Sequence, residues 1–270
     1  MKNRLTDLIF SAFDIETTSL TPVKDRIVEI GSIKFRNGEI IDTFQEMIDP
    51  EMPISPGASA VNGITGEMVR GQPTIEQVLP RFLSFIDGSV PVAHNASFDV
   101  GFLAYDISRF ALTPTANPIL DTMKMAKNCY PYLYNYSLDN LAWQLNIQSD
   151  GLHRALADAR ACMELFSMCL KKIDLYGKLS LSELIDFNGP PLYFRIDDID
   201  LQGTDPVLKR ALKTGETITI VYRDASGFET SRTITPLTAG YSHGVMMIEA
   251  FCHLRNEKRC FRLDRIVEIR

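Results

Sequence analysis

The chain has 270 residues, 45% hydrophobic and 23% charged, with a formal net charge of −6 at pH 7. That length is generous for one domain and comfortable for two, and the acidic balance excludes a whole-surface basic footprint for nucleic acid while leaving room for a local site. No segment stays uncharged long enough for a membrane span, the opening M-K-N-R-L-T-D carries no apolar run of signal-peptide length, and five cysteines without a C-x-x-C pair fit reduced thiols, so the expectation is a cytoplasmic protein with no membrane partner.

The first element is an apolar run, residues 8–13, that opens onto Asp14-Ile15-Glu16. Side chains alternate faces along a strand, so Asp14 and Glu16 point one way and Ile15 into the core. Two like charges side by side at a buried strand end repel and lose hydration, which is costly unless a cation lies between them. A lone D-x-E is better read as a strand ending in a solvated acidic turn, so the decision rests on whether other carboxylates converge. Residues 26–35 and 39–48 are β-rich runs joined by Asn37-Gly38, which favours a tight antiparallel hairpin. Residues 49–71 read as a surface loop with short helical turns and Thr65 as an N-cap. A helix over 74–87 follows, with a Thr74/Gln77 capping box and a kink at Pro80.

Residues 90–93 form a short buried strand, and a helix over 97–110 carries Asp99 in its first turn, where a strand hands over to a helix. His94 beside it reads as a structural hydrogen-bonding residue. Strand-like 118–121 precedes helical patterns at 122–129, 137–145 and the Ala-rich 154–170. Five helical residues turn through about 500°, so His153 and Asp158 share a face only if His153 lies on the preceding loop, free to swing over a site that Asp158 faces. Residues 171–186 still read as helix, and Asn188-Gly189-Pro190-Pro191 breaks it, so the predicted division is 1–176, a linker at 177–191, and 192–270. In the last part a helix at 205–213 leads into β runs at 217–222, 231–236, 245–252 and 260–269, suggesting a small bent sheet or barrel. Arg255, Lys258, Arg259, Arg262 and Arg265 are its basic concentration. Alternation puts Arg259 and Arg265 on one face and Arg262 on the other.

F-D-I-E-T-T at 13–18, H-N-A-S-F-D at 94–99 and H-R-A-L-A-D at 153–158 together resemble the three motifs of the DEDD exonucleases, in their His-containing DEDDh, DnaQ-like branch. The resemblance spans roughly residues 5–175. It implies an α/β, ribonuclease H-like domain, a mixed five-stranded sheet flanked by helices, and 3′-to-5′ exonuclease activity. It also implies Asp14, Glu16, Asp99 and Asp158 as ligands for two divalent cations, Mg²⁺ or Mn²⁺, and His153 as general base. Ile15, Thr17, Thr18, Asn62 and Asn95 are then the expected neighbours of the terminal nucleotide, although Thr17 and Thr18 read equally well as solvated turn threonines. Asn62 stands where many relatives carry histidine. The β runs of residues 190–270 resemble a WYL domain, a small β-rich module, with Met246-Met247-Ile248 in place of the Trp-Tyr-Leu trio.

The chemistry agrees with the resemblance. Phosphodiester hydrolysis needs an activated water and charge relief on the phosphoryl oxygens, which two hard cations held by carboxylates supply, and a histidine titrating near neutrality can take the proton. The expected substrate is the 3′ end of single-stranded nucleic acid, DNA before RNA, with nucleoside 5′-monophosphates released. In the second domain Arg232, Arg255, Arg259 and Arg262 are candidate nucleic-acid contacts, and a nucleotide ligand, a polymerase or a second copy of the chain are candidate partners. The competing reading is a ligand- or nucleic-acid-sensing regulatory protein whose WYL-like domain acts and whose nuclease domain is vestigial. Intact carboxylates at all four positions, His153, and no helix-turn-helix before the last module favour the enzyme.

Overall fold

The computed structural model describes residues 4–20, 22, 24–148, 151–175, 177–194, 205–224, 227–242 and 245–270. Three strands come first, β1 (Phe10–Thr17), β2 (Ile27–Arg36) and β3 (Glu39–Met47), then short helices α1 (Pro56–Asn62) and α2 (Gly66–Val69) and the longer α3 (Ile75–Ile86). Strand β4 (Val90–Ala93) leads to α4 (Ser97–Arg109), and β5 (Leu120–Asp121) to α5 (Thr122–Cys129), α6 (Leu138–Leu145), α7 (Ala155–Ile173) and α8 (Leu181–Asn188). The sheet order is β3-β2-β1-β4-β5, with β1, β2 and β3 antiparallel and β4 and β5 parallel to β1. At the β2–β3 turn Asn37 and Gly38 both take positive φ, 53° and 79°, as a tight hairpin requires.

The period of two in β1 divides the core. Phe10 and Ala12 pack on one face with α5, α7 and α8, through Met125, Cys162, Phe166 and Leu184. Phe13 and Ile15 pack on the other with α3 and α4, through Phe82, Val100 and Phe102. Each face thus carries its own helical layer, the expected mixed five-stranded architecture.

Several local expectations change. The Thr65 side chain makes no capping hydrogen bond at α2, whereas Thr74 and Gln77 form the capping box of α3, which runs unbroken through Pro80. Residues 171–186 are not one helix: α7 ends at Ile173, Asp174 Oδ1 accepts from the N–H groups of Lys178 and Leu179, and Gly177 has φ of 62° before α8 begins. Within the expected linker 177–191, α8 buries Leu184 completely. Beyond Pro191, Leu192 bridges to Ile119, and Phe194 packs on Phe13 with 5.6 Å between ring centroids. The prolines stop the helix without ending the burial, because an extended segment can still fill a core pocket.

The C-terminal part contains α9 (Pro206–Thr214) and β6 (Ile218–Arg223), β7 (Glu229–Ser242), β8 (Val245–Cys252), β9 (Glu257–Arg262) and β10 (Ile266–Ile269). They form one antiparallel sheet, ordered β10-β6-β7-β8-β9. Two strands differ from expectation. β7 continues past Pro236 because a register shift between Pro236 and Thr238 absorbs the residue that cannot donate a ladder bond. The run 260–269 is two strands, split by a 3-10 turn at Leu263–Arg265, so Arg265 does not share a strand face with Arg259. β9 and β10 are the opposite edges of the sheet, about 19 Å apart if five strands lay flat, yet the link between them reaches about 15 Å at most. The sheet must therefore curl strongly, as a bent sheet or barrel does.

Candidate metal and nuclease site

Asp14 and Glu16 extend the row of Phe10 and Ala12 along the α7-facing side of β1, beyond the point where apolar packing stops. On α7, Asp158, Cys162 and Phe166 recur at helical spacing, and Phe166 meets Phe10 with 4.9 Å between centroids. The helix therefore runs back along β1 and brings its first turn over the carboxylates. One oxygen each of Asp14, Glu16 and Asp158 lies within 4.8 Å of the others.

The close approach depends on Gly31, the cross-strand partner of Asp14. A Cβ there would stand 2.2 Å from the Ala155 carbonyl carbon and the Leu156 nitrogen, so only glycine lets the N-terminus of α7 settle on the sheet. Beside it Glu29, opposite Glu16 and fully buried, accepts hydrogen bonds from Arg154 Nε and Nη2, Gln45 Nε2 and the Ala155 N–H at 2.8–3.1 Å. Burial would raise the Glu29 carboxyl, but these donors hold it below its usual range. Glu29 and Arg154 thus clamp the start of α7. Sequence reading missed both, since their pairing joins residues 125 positions apart.

The fourth acid reaches the site from the opposite layer. Asp99, in the first turn of α4 and 2% exposed, accepts from the Ile15 N–H at 3.1 Å, between the two β1 carboxylates. It lies outside the tight three-oxygen cluster, but among the charges raising the Asp14 carboxyl it ranks first after burial, ahead of Asp158 and Glu16. Burial also raises Asp99 itself, against the Ile15 hydrogen bond. Burial and then the Asp158 charge push Glu16 up to about 7, opposed by a hydrogen bond from Asn62, and burial pushes Asp158 up to about 6. Raised acids of this kind are charges awaiting a counter-charge. The Arg154 guanidinium is committed to Glu29, and the donor set is all hard oxygen, so the residues fit a divalent cation such as Mg²⁺ or Mn²⁺.

His153 sits on the loop before α7 with φ of 68° and is exposed. Its N–H donates to the Asp158 carboxylate at 3.2 and 3.3 Å, and its Nε2 lies 3.3 Å from Oδ2 of Asp139 on α6. Asp139 went unnoticed in the sequence because nothing local distinguishes it from a solvated first-turn acid. His94 is structural as expected: Nε2 donates to the Tyr136 carbonyl at 2.8 Å, Nδ1 meets Thr122 Oγ1 at 2.9 Å, and burial lowers its pKa.

The expected nucleotide neighbours divide. Thr17 and Thr18 are turned inward: Thr17 Oγ1 donates to the Ser19 carbonyl, Thr18 Oγ1 accepts from the Arg26 N–H, and both side chains are buried, so they are not solvated turn threonines. The Ile15 side chain is core, and what it offers the site is the N–H that holds Asp99. Asn62 is buried, accepts from the Ile64 N–H and hydrogen-bonds Glu16, which makes it a support for a carboxylate. Asn95 alone is exposed at the rim, with φ of 56° and its N–H on Asp121 Oδ1. In the C-terminal sheet Arg259 pairs with Glu257 at 3.4 Å and Arg262 with Asp264 at 2.7 Å. Arg232 Nε donates to Thr230 Oγ1 while its Nη1 is buried, and Arg255 is exposed.

The family model for an exonuclease (RNase_T) matches residues 11–166, and that for a WYL domain matches residues 206–270. A DNA polymerase III of PolC type from Caldanaerobacter subterraneus subsp. tengcongensis is 43% identical over 175 residues, 65% of this chain but 12% of that protein, and one from Thermotoga maritima is 39% identical over 178 residues, 66% of this chain and 13% of that protein. Among solved structures, exonuclease X in complex with 5′ overhanging duplex DNA is 30% identical with a TM-score of 0.53, covering 67% of this chain and 99% of that one. E. coli exonuclease I in complex with a dA16 oligonucleotide shares the fold at 16% identity, with a TM-score of 0.57 over 90% of this chain and 55% of that one. From the motifs, the sheet order and the convergence of the acids, the chain belongs to the DnaQ-like exonuclease family and carries a WYL domain behind its nuclease domain.

Proposed function

We propose that the protein is a metal-dependent 3′-to-5′ exonuclease that removes nucleoside 5′-monophosphates from single-stranded nucleic acid, DNA before RNA. The observation that carries this is the convergence of Asp14, Glu16 and Asp158 within 4.8 Å, with Asp99 hydrogen-bonded between the first two and the Arg154 guanidinium paired with Glu29 instead. Asp14, Glu16, Asp99 and Asp158 would hold two divalent ions, Mg²⁺ or Mn²⁺. When bound, such ions supply charge relief at the scissile phosphate and lower the pKa of the attacking water.

The chain's own residues do the rest. The Ile15 N–H orients Asp99, Asn62 orients Glu16, and the Glu29–Arg154 clamp fixes the depth of Asp158. His153 takes the proton of the water. The Asp139 carboxylate, 3.3 Å from Nε2, favours the tautomer that keeps the proton on Nε2 and the lone pair on Nδ1, and it stabilises the imidazolium that forms. Exonuclease X, solved with a 5′ overhanging duplex DNA, supports DNA as the substrate class. The curated polymerases support a replication setting, although this chain spans about an eighth of their length. The test is degradation of 3′-labelled single-stranded DNA and RNA side by side, with Mg²⁺, Mn²⁺ or excess chelator, and with a circular single strand as control. Mononucleotides from linear strands only, and none in chelator, are expected. Equal cleavage of the circle would make it an endonuclease.

A further inference from the structure

Three of the four aromatic side chains that are more than half exposed among the described residues lie in one stretch of chain beside the acid site: Tyr132 at 95%, Tyr134 at 105% and Trp143 at 82%. A tryptophan that exposed is unusual, since its large ring is normally mostly covered. Trp143 stands four residues after Asp139 on α6, hence on the same helix face, with Cβ atoms about 5–6 Å apart, and Asp139 is the residue that meets His153. The tyrosines belong to the loop between α5 and α6, which is pinned rather than loose. Tyr136 Oη donates to the Tyr130 carbonyl at 2.7 Å, Asn140 Nδ2 to the Asn135 carbonyl at 2.6 Å, and His94 Nε2 to the Tyr136 carbonyl. Rings held out on a fixed backbone lose little entropy when something stacks on them.

Resting on the exonuclease reading, we propose that Trp143, Tyr132 and Tyr134 form a base-stacking surface for the single strand whose 3′ end occupies the acid site. Two features favour a nucleic acid over a protein partner. The three rings stand among polar neighbours such as Asn135, Asn140 and Gln144 rather than in a contiguous aliphatic patch. Ammonium groups lie on the same segment's other tyrosines, Lys127 at 5.8 Å from the Tyr136 ring centre and Lys172 at 4.1 Å from that of Tyr130, so a chain of net charge −6 carries cations on the loop that presents the rings. Exposed aromatics beside cations are the usual equipment of a single-strand channel, because every base has a π face.

Trp143 is the chain's one tryptophan, so its fluorescence reports this surface alone. The full chain is titrated with a thymidine oligonucleotide of about 12 nucleotides, within the usual span of a single-strand site, protected at its 3′ linkage by phosphorothioate. Saturable quenching is expected. Trp143→Ala and Tyr132→Ala should each raise KM for the unprotected strand by about 5- to 100-fold, the loss falling on KM rather than kcat, while Trp143→Phe should stay within about threefold. If the parent cuts the strand while its tryptophan emission stays constant on binding, or if Trp143→Ala keeps the parental KM, the stacking surface is overturned and the exonuclease reading stands. A parent that neither binds nor cuts any strand overturns both.

Discussion

The two ends of the molecule treat charge in opposite ways. At the tip of β1 four carboxylates from three segments crowd together, and burial and mutual repulsion hold them above their usual range. On the C-terminal sheet the charges alternate and close on themselves: Arg223 with Glu229, Arg259 with Glu257, Arg262 with Asp264, Arg270 with Glu268. The first arrangement calls for a counter-charge, and in the second these four arginines already have one. A cluster of one sign inside a fold therefore marks chemistry, while a list of basic residues marks little until their partners are known.

That contrast can be broken by experiment, beginning with its acid side. Asp14→Asn should reduce hydrolysis to background in any divalent metal, and by relieving repulsion it should also raise the melting temperature of the metal-free protein at pH 8. An active variant would disprove the ligand role. His153→Ala should lower kcat by about 10²- to 10⁴-fold with KM little changed, because a general base acts in the transition state. Turnover within about threefold of the parent would transfer the proton to another group. Gly31→Ala should cost about 3 kcal/mol in urea unfolding and weaken metal binding, since the α7 N-terminus must lift off the sheet.

The pH dependence of stability follows from the raised acids. A carboxyl whose pKa rises on folding contributes stability that is complete below its unfolded value and lost as pH climbs through its folded value. With Glu16 at about 7 and Asp158 at about 6, the metal-free protein should lose stability between pH 4 and 8. Mn²⁺ should therefore raise the melting temperature strongly at pH 8 and hardly at pH 5, where the site holds protons. An equal rise at both would show that the acids do not bind the ion. The smallest effect belongs to the paired side: Arg259 and Arg262 replaced together by alanine should change the slope of log affinity against log salt by less than about 0.7, the share of one phosphate contact on a single strand. A full unit would return the strand-holding role to the C-terminal sheet.

Much of this was legible in the residues. The period of two in F-S-A-F-D-I-E announced both the sheet faces and the shared side of the carboxylates, Asn37-Gly38 announced the hairpin, and the bounds of β4 and α5 match the runs read from the sequence. What escaped was pairing across distance. Glu29 looks like any strand acid until Arg154 arrives from 125 residues away, and Asp139 like any first-turn acid until His153 turns to it. The hydroxyls of Thr17 and Thr18 were ambiguous because an exposed turn and a buried one have the same composition. The arginine pairs were within reach, however: Glu257-x-Arg259 and Arg262-x-Asp264 set opposite charges two residues apart.

The contact between Gly31 and Ala155, and the hydrogen bond from Ile15 to Asp99, also bear on the order of events in folding. Both join segments far apart in sequence, 124 and 84 residues, and loop closures of that length come late, after local hairpins such as β2–β3. The acids meet only once nearly the whole sheet and α7 have docked. A divalent ion therefore has nothing to grip in the early chain, and it should leave the refolding rate unaltered while slowing unfolding. The metal would then act as a lock on the finished fold rather than as a nucleus for it.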